Sequence, residues 1–219
     1  MHKKWLVGFS ALLLTSALQA GGDHAPVAEA YPNTELKKVQ SPRVDELYCL
    51  AGVNWGDYHQ VLLKPVEVAF AKRWDPRSFG IFGLSDKEVA AIRRDFSRIA
   101  EEVFTEVLAE HGYQRVNEAA PGVMALEIDI QDLYLNAPET SEPGRRKVYV
   151  RSAGEMRLQL EIRDAVTGTT LALARDKRRD PESQQLQWAN HTFNLSRARI
   201  LLHSWALQLA DALAAAREH

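Results

Sequence analysis

Residues 148–164 read VYVRSAGEMRLQLEIRD, and this stretch decides the fold. Apolar and polar residues alternate along it, which is typical of a strand with one buried and one solvated face. The apolar set is Val150, Met156, Leu158, Leu160 and Ile162, and the polar set is Arg151, Arg157, Gln159, Glu161 and Arg163. At about 3.3 Å per residue the run is too long for one straight strand, so we expect a bend at Ala153-Gly154.

Further strands are predicted on both sides of this run. A turn at 164–168 leads to a returning hairpin strand at 169–176. Residues 123–135 form a long strand whose apolar phase changes before Leu133, so we expect a β-bulge near Gln131-Asp132. Residues 60–70 also alternate, and Pro65 within them indicates an edge strand or a bulge, because proline donates no backbone hydrogen bond. A short strand is expected at 113–116.

Two long helices are predicted. The first begins at the capping box Ser85-Asp86-Lys87-Glu88, carries an apolar stripe and ends at Gly112. Its stripe is Val89, Ile92, Phe96, Ile99, Val103 and Val107. The second begins at Asn194 or Ser196, and its stripe is Ala198, Leu202, Trp205, Leu209, Ala212 and Ala216.

The order strand, helix, strands, helix predicts an α+β fold. We expect a mainly antiparallel twisted sheet with two long helices packed on one face. The loop at 73–84 is unusually apolar for a connection, and we expect it to pack over the core as a lid; it contains Trp74, Phe79, Ile81 and Phe82.

The N-terminus predicts export. Residues 1–20 have a positive start, an apolar run too short to span a bilayer and a small-residue cleavage site ending at Ala20, as in a signal peptide. No cysteine near that site could accept a lipid, so we expect a periplasmic protein that is not lipidated and has no transmembrane segment after cleavage. The domain prediction is a signal peptide at 1–20, a mobile lead-in at 21–57 and one α+β domain at 58–219.

Composition limits the classes of function. The chain has 219 residues, of which 46% are hydrophobic and 26% charged, and a formal charge of −2. This balance is that of a globular protein and argues against a nucleic-acid partner, since surfaces that bind nucleic acid are usually basic. Cys49 is the only cysteine. In an oxidising compartment it is a reactive thiol, an intermolecular bridge or a small buried hydrophobic residue.

No residue set in the sequence predicts a cofactor or a metal. The histidines lack metal-binding spacing, and neither a nucleophile elbow nor a phosphate-binding loop is present. Glu127, Asp129 and Asp132 on the long strand would suit a cation site or an acid/base pair only if they converge in a cleft. Otherwise the same spacing is that of a solvated strand face.

Basic residues form a second candidate site. They cluster at Arg145-Arg146-Lys147 and Lys177-Arg178-Arg179, with further arginines on the neighbouring strands. Such a face suits an anionic envelope polymer or a lipid headgroup. Interspersed acidic residues such as Glu155 and Glu161 would instead neutralise it through cross-strand pairs.

Five segments together resemble a family of small bacterial cell-envelope proteins, many of them predicted lipoproteins, that is known only as a domain of unknown function. The segments are 70–75 (FAKRWD), 132–139 (DLYLNAPE), 149–156 (YVRSAGEM), 160–168 (LEIRDAVTG) and 205–206 (WA). The resemblance implies an envelope location and no catalytic residues. The chain departs from many such relatives because it lacks the lipid-bearing cysteine.

Two functional hypotheses follow. The first is a non-enzymatic periplasmic binding or assembly module whose partner is an envelope protein or an anionic envelope polymer. Its binding surface would comprise Trp74 and Arg73 with Tyr134, Asn136 and Pro138, because bulges often direct side chains toward a site and aromatic residues beside an arginine often anchor an interface. The competing interpretation is that Trp74 and Tyr134 fill the core. The second hypothesis is a cell-wall-directed hydrolase or metal-dependent enzyme that uses Asp129, Asp132 or His191.

Overall fold

The computed structural model describes residues 35–79, 83–138 and 147–218. The predicted signal peptide, the first part of the predicted lead-in and the Arg145-Arg146 pair lie outside the described residues, as do Ile81 and Phe82 of the predicted lid.

The centre of the fold is formed by three antiparallel strands, β6 (Val123–Leu135), β8 (Gly154–Asp164) and β9 (Thr170–Arg179). Alternate residues of β6 and β8 point inward, as the sequence pattern predicts. Leu126, Ile128 and Ile130 of β6 are each no more than 1% exposed. Burying such side chains contributes about 1.5–3 kcal/mol each, so these strands hold much of the core.

Two strands that the sequence pattern did not predict extend this sheet. β1 (Lys37–Val39) pairs with β2 (Glu46–Cys49), and β2 pairs with β9, all antiparallel. Both strands are short, β1 is exposed and β2 is only partly buried, so they lack the long alternation that identifies β8.

The other side of β6 is parallel. β3 (Gln60–Leu63) and β4 (Glu67–Phe70) both run parallel to β6, and β5 (Gln114–Arg115) runs parallel to β3. The eight-stranded sheet of the described residues is therefore mixed, and the prediction of a mainly antiparallel sheet is wrong. The reason is the helix between β4 and β5. It carries the chain back to the end of the sheet at which β3 begins, so β5 and β6 run in the same direction as β3.

Pro65 separates β3 from β4. On one side Lys64 N donates to Leu126 O (2.9 Å), so it still pairs with β6. On the other side Val66 N donates to the Glu101 carboxylate of the first helix (3.2 Å). The proline thus divides the run predicted as one strand, and among the described strands β4 pairs with β6 alone.

Helix α1 (Asp86–Glu110) begins at the predicted capping box. Glu88 N donates to Ser85 Oγ (3.3 Å) and Ser85 N donates to Glu88 Oε2 (2.8 Å). Helix α2 (His191–Arg217) begins earlier than predicted, since Asn190 is its cap and accepts from Phe193 N (2.8 Å). The predicted caps Asn194 and Ser196 lie inside the helix, so that prediction is wrong.

The packing of the helices also differs from the expected arrangement on one face of the sheet. α1 and α2 pack along each other, and Arg199 of α2 binds Glu102 (2.9 Å) and lies 3.7 Å from Glu106 of α1. The α1 backbone lies near β4 and β5, whereas the α2 backbone lies near the 3₁₀ turn at Trp55–Asp57. Among the described residues, no helix combines the length and apolarity needed to cross a membrane.

The predicted β-bulge and bend meet at one place. The β6–β8 register shifts between Gln131 and Tyr134, and Asp132 has a φ of 52°. Across from it, the run 148–164 is interrupted before Gly154, whose φ is 143°. A Cβ at Gly154 would lie 1.8 Å from Tyr134 O, so the two strands approach this closely only because glycine is present. Beyond the bend, β7 (Tyr149–Val150) pairs with β10 (Gln187–Trp188) in a separate two-stranded sheet.

Candidate functional site

Trp74 lies inside the core rather than on the surface. Its ring is 5% exposed and stacks on Phe70 with a centroid distance of 4.1 Å. The indole Nε1 donates to Leu135 O at 3.1 Å, so the polar atom of the ring is also satisfied. In the described part of the predicted lid, Trp74, Phe79 and Leu84 pack against the core.

The segment after β6 is held against the bend before β8. Asn136 N donates to Ala153 O (2.9 Å), and the Asn136 side chain donates to Ser152 O (2.8 Å). Pro138 is buried. Of the five residues predicted to form a binding surface, Trp74 and Pro138 therefore serve packing, while Arg73, Tyr134 and Asn136 retain accessible atoms.

Arg73 belongs to a group of cations around one carboxylate. Its guanidinium pairs with Glu155 and lies 4.4 Å from the centroid of the Tyr134 ring. Lys177 Nζ lies 3.0 Å from Glu155 Oε1, and Arg179 lies 3.4 Å from Glu155 Oε2. We call Arg73, Lys177 and Arg179 the basic cluster. Only Glu155 opposes these three cations in the ion pairs of the described residues, which leaves two formal positive charges.

Glu155 is buried, while the cations around it are not. Its side chain is 8% exposed, against 60% for Arg73, 40% for Lys177 and 65% for Arg179. Burial by itself would raise the pKa of Glu155, but hydrogen bonds and charge from Lys177 and Arg73 outweigh it and hold that pKa below its ordinary value. The carboxylate thus stays ionised and orients the cations.

The other basic residues of β8 and β9 have acidic partners. Arg178 donates to Asp176 (2.8 Å), Ser204 and Gln208, so it links β9 to α2. Arg163 lies 3.0 Å from Glu161, and Arg157 lies 3.4 Å from Asp132. At these positions the structure agrees with the interpretation that acidic partners neutralise the basic residues.

The acidic residues proposed for chemistry do not converge with His191. Glu127 lies 3.6 Å from Arg163, and Asp129 is paired across the sheet with Gln159 and Glu67. Burial, and then the charges of Glu67, Glu127 and Glu161, raise the pKa of Asp129. His191 lies at the start of α2, where its Nε2 is 3.4 Å from Asp95 of α1. Within the described ranges, no three His, Cys, Asp or Glu residues are placed to hold a metal ion.

The structure also contains an apolar cavity of about 220 Å³ that the sequence pattern did not predict. It lies between α2 and strands β2, β8 and β9. Alanines line both sides, namely Ala172 and Ala174 on β9 and Ala212 and Ala216 on α2. Because small side chains face one another there, the helix and the sheet leave a space between them. Alanines at these positions would indicate a cavity in the sequence only if β9 and α2 were already known to be neighbours.

Cys49 lies in the wall of this cavity. The thiol is unpaired and half-buried, and burial raises its pKa. Trp55 and Trp205 line the same space. Trp205 is 2% exposed, and its Nε1 donates to Asp176 Oδ2 at 2.7 Å. The prediction that Leu202, Trp205 and Leu209 form a buried stripe is confirmed, whereas Ala212 is exposed.

Comparison with known proteins identifies the family. The model of a family described as a protein of unknown function (DUF3313) matches residues 26–209, so the chain belongs to that family. The resemblance seen in the sequence is thereby confirmed. No curated protein matches the chain.

Among solved structures, the chain is similar to a PelC dodecamer from Paraburkholderia phytofirmans, with 13% identity and a TM-score of 0.36 over 78% of this chain and 96% of that one. A variant of that dodecamer matches with 9% identity and a TM-score of 0.38 over 81% and 97%. A PDZ domain protein from Parabacteroides distasonis matches with 11% identity and a TM-score of 0.38 over 84% of this chain and 39% of that chain.

Proposed function

We propose that this DUF3313 protein is an exported, non-enzymatic binding module of the cell envelope and that its basic cluster binds an anionic envelope polymer. Export rests on residues 1–20, which have the positive start, apolar run and small-residue site of a signal peptide. The observation that carries the binding proposal is the convergence of Arg73, Lys177 and Arg179 on the single buried carboxylate of Glu155.

The geometry suits an anion because the cations are already positioned. Glu155 anchors each of them at one point, and guanidinium and ammonium groups have several donors. The donors that do not face Glu155 remain accessible to carboxylate or phosphate groups, which arginine binds in a planar, two-point geometry. Positions fixed before binding reduce the entropy lost on association.

Tyr134 adds a second constraint on Arg73. The guanidinium lies 4.4 Å from the ring centroid, within the range of a cation–π contact. Arg73 is therefore held by the ring and by Glu155 together. This retains part of the surface predicted from the sequence, with Arg73 and Tyr134 as binding residues and Trp74 beneath them as packing.

The test is binding of alginate, an anionic polysaccharide, with dextran as the neutral control polymer. We expect the Lys177→Ala/Arg179→Ala protein to bind alginate about tenfold or more weakly than wild type, because two charge-assisted contacts are lost. Dextran should bind to neither protein. Added salt should weaken the alginate interaction, since the cations are exposed.

The matched control is Lys64→Ala/Lys87→Ala, which removes the same charge from exposed positions outside the basic cluster. It should bind alginate as wild type does. Equal losses in both double variants would mean that net charge alone attracts the polymer, and the proposed site would then be rejected. Absence of alginate binding by the wild-type protein would reject the proposed ligand class.

A further inference from the structure

The cavity between α2 and the sheet is apolar from its floor to near its mouth. The floor is formed by buried side chains of β8 and α2, including Ile162, Trp205 and Leu213. The one polar atom of the Trp205 ring is already bound by Asp176. None of the described buried side-chain atoms that lack a hydrogen-bond partner belongs to a residue of this lining. A space of this kind has no polar group to hold water and favours an apolar occupant.

The size of the cavity selects a slender occupant. The volume of about 220 Å³ is many times the roughly 10–15 Å³ that one water-sized group needs, so it holds a row of such groups. A protein partner uses about 20–30 residues on each side of a standard interface, far more than this space admits. One alkyl chain fits both the volume and the lining.

The polar residues of the cavity lie at its mouth and are basic on balance. They are Ser41, Arg43 and Gln208. Arg43 is 55% exposed and pairs with Asp211 at 3.0 Å, an exposed ion pair of the kind that exchanges partners at little free-energy cost. Lys37 is opposite Cys49 in the β1–β2 register, so it lies on the cavity side of that edge, and it is exposed. Among the described residues, Arg43 is the one charged residue of the lining, and it favours an anionic headgroup.

We infer that this cavity binds the alkyl chain of a fatty acid, with the carboxylate at Arg43. The inference goes beyond the proposed function, because the cavity and the basic cluster share no residue and take ligands of different chemistry. The alkyl chain lies between α2 and β9, along the facing alanines.

Saturated fatty acids of six to fourteen carbons, used below their micelle concentrations, provide the test. Affinity should rise about fourfold with each added methylene until the cavity is full and should then level off. Brominated fatty acids should quench tryptophan fluorescence, because Trp55 and Trp205 line the space. A second readout is Cys49, the only thiol in the chain, whose alkylation should slow when a fatty acid is bound.

A pair of variants locates the binding. Ala212→Phe places a ring in the mouth from an exposed helix position, and we expect at least a tenfold loss of affinity. Ala214→Phe introduces the same ring at an exposed position of α2 outside the lining, and it should bind as wild type does. Circular dichroism confirms that both variants are folded.

Three results would overturn the inference: affinity that does not depend on chain length, equal affinity in Ala212→Phe and Ala214→Phe, or equally tight binding of an alkyl trimethylammonium of the same length. The last would reject the anionic headgroup. The Lys177→Ala/Arg179→Ala protein should bind fatty acids normally, so failure of this inference is distinguishable from failure of the proposed alginate site.

Discussion

The two halves of the sheet are covered by helices in different ways. Where β3, β4 and β6 meet α1, large side chains fill the space, and Phe104, Val103 and Val107 are each no more than 1% exposed. Where β9 and β2 meet α2, alanines face each other and a cavity of about 220 Å³ remains. Two residues of the basic cluster, Lys177 and Arg179, lie on β9 of this antiparallel half, whereas Arg73 follows β4 of the parallel half. The difference is that large side chains fill the space under α1, whereas space remains beside α2.

The largest effect is expected in the parallel half. Phe104→Ala removes a fully buried ring from a region without spare space, so it should lower the free energy of unfolding by about 3–5 kcal/mol. Urea denaturation measures this. A midpoint close to that of wild type would mean that the parallel half is not the stable one.

Trp205→Ala tests the boundary between the helix and the cavity. The substitution removes a ring that is 2% exposed and leaves the Asp176 carboxylate without its indole donor. We expect a loss of about 3 kcal/mol in the free energy of unfolding. This is at the lower end of the range for replacing a buried aromatic ring with alanine, because the ring already borders a cavity and has fewer packing contacts to lose. An unchanged urea midpoint would show that α2 does not contribute to the fold through this residue.

A matched pair of alanine substitutions compares the halves directly. Ala100 of α1 is 0% exposed, so Ala100→Leu should overpack the parallel half and destabilise the protein by about 1–3 kcal/mol. Ala174 lines the cavity, so the larger side chain of Ala174→Leu has space to occupy. The substitution should leave the stability of the protein unchanged or raise it by up to about 1 kcal/mol, as cavity-filling changes do. Equal destabilisation in urea would contradict the difference between the halves.

The smallest stability effect concerns the charge of Glu155. Because its pKa is lower in the folded protein than in the unfolded chain, Glu155 contributes stability that is fully present above the ordinary carboxyl pKa of about 4.3 and is lost as the pH falls through the lower folded value. Wild type should therefore exceed Glu155→Gln by about 1 kcal/mol at pH 7. The difference should shrink on acidification below about pH 4. A difference independent of pH would argue against an ionised Glu155.

Local features of the fold could be predicted, and partnerships between distant segments could not. The capping box at Ser85 and the bulge at Asp132 depend on residues near in sequence, and both are where the pattern placed them. The direction of β3 and β4 relative to β6 depends on how α1 crosses the sheet, which alternation does not encode. Asn190 was missed as the cap of α2 because Asn194 has the same chemistry, and only packing decides between them.

In the candidate site, too, the sequence predicted local features but not the contacts between distant segments. The sequence predicted Arg73 and Tyr134 in one surface because Arg73 adjoins an aromatic residue in an apolar loop and Tyr134 follows the bulge. It did not place Lys177 and Arg179 beside them, since that requires the β8–β9 register, in which Glu155 pairs with Arg179. The cavity depends on the alignment of α2 with β9, so its alanines looked like ordinary helix and strand positions.

We propose that the anionic polymer binds at the basic cluster, which lies mainly on the antiparallel half. The most direct test is a titration of the ¹⁵N-labelled protein with alginate oligosaccharides, followed by the shifts of assigned amide resonances. We expect the largest shifts at 72–74, 134–136, 155–157 and 177–179, around the basic cluster. Shifts concentrated in α1 and β3, or the same pattern in the Lys177→Ala/Arg179→Ala protein, would contradict the account.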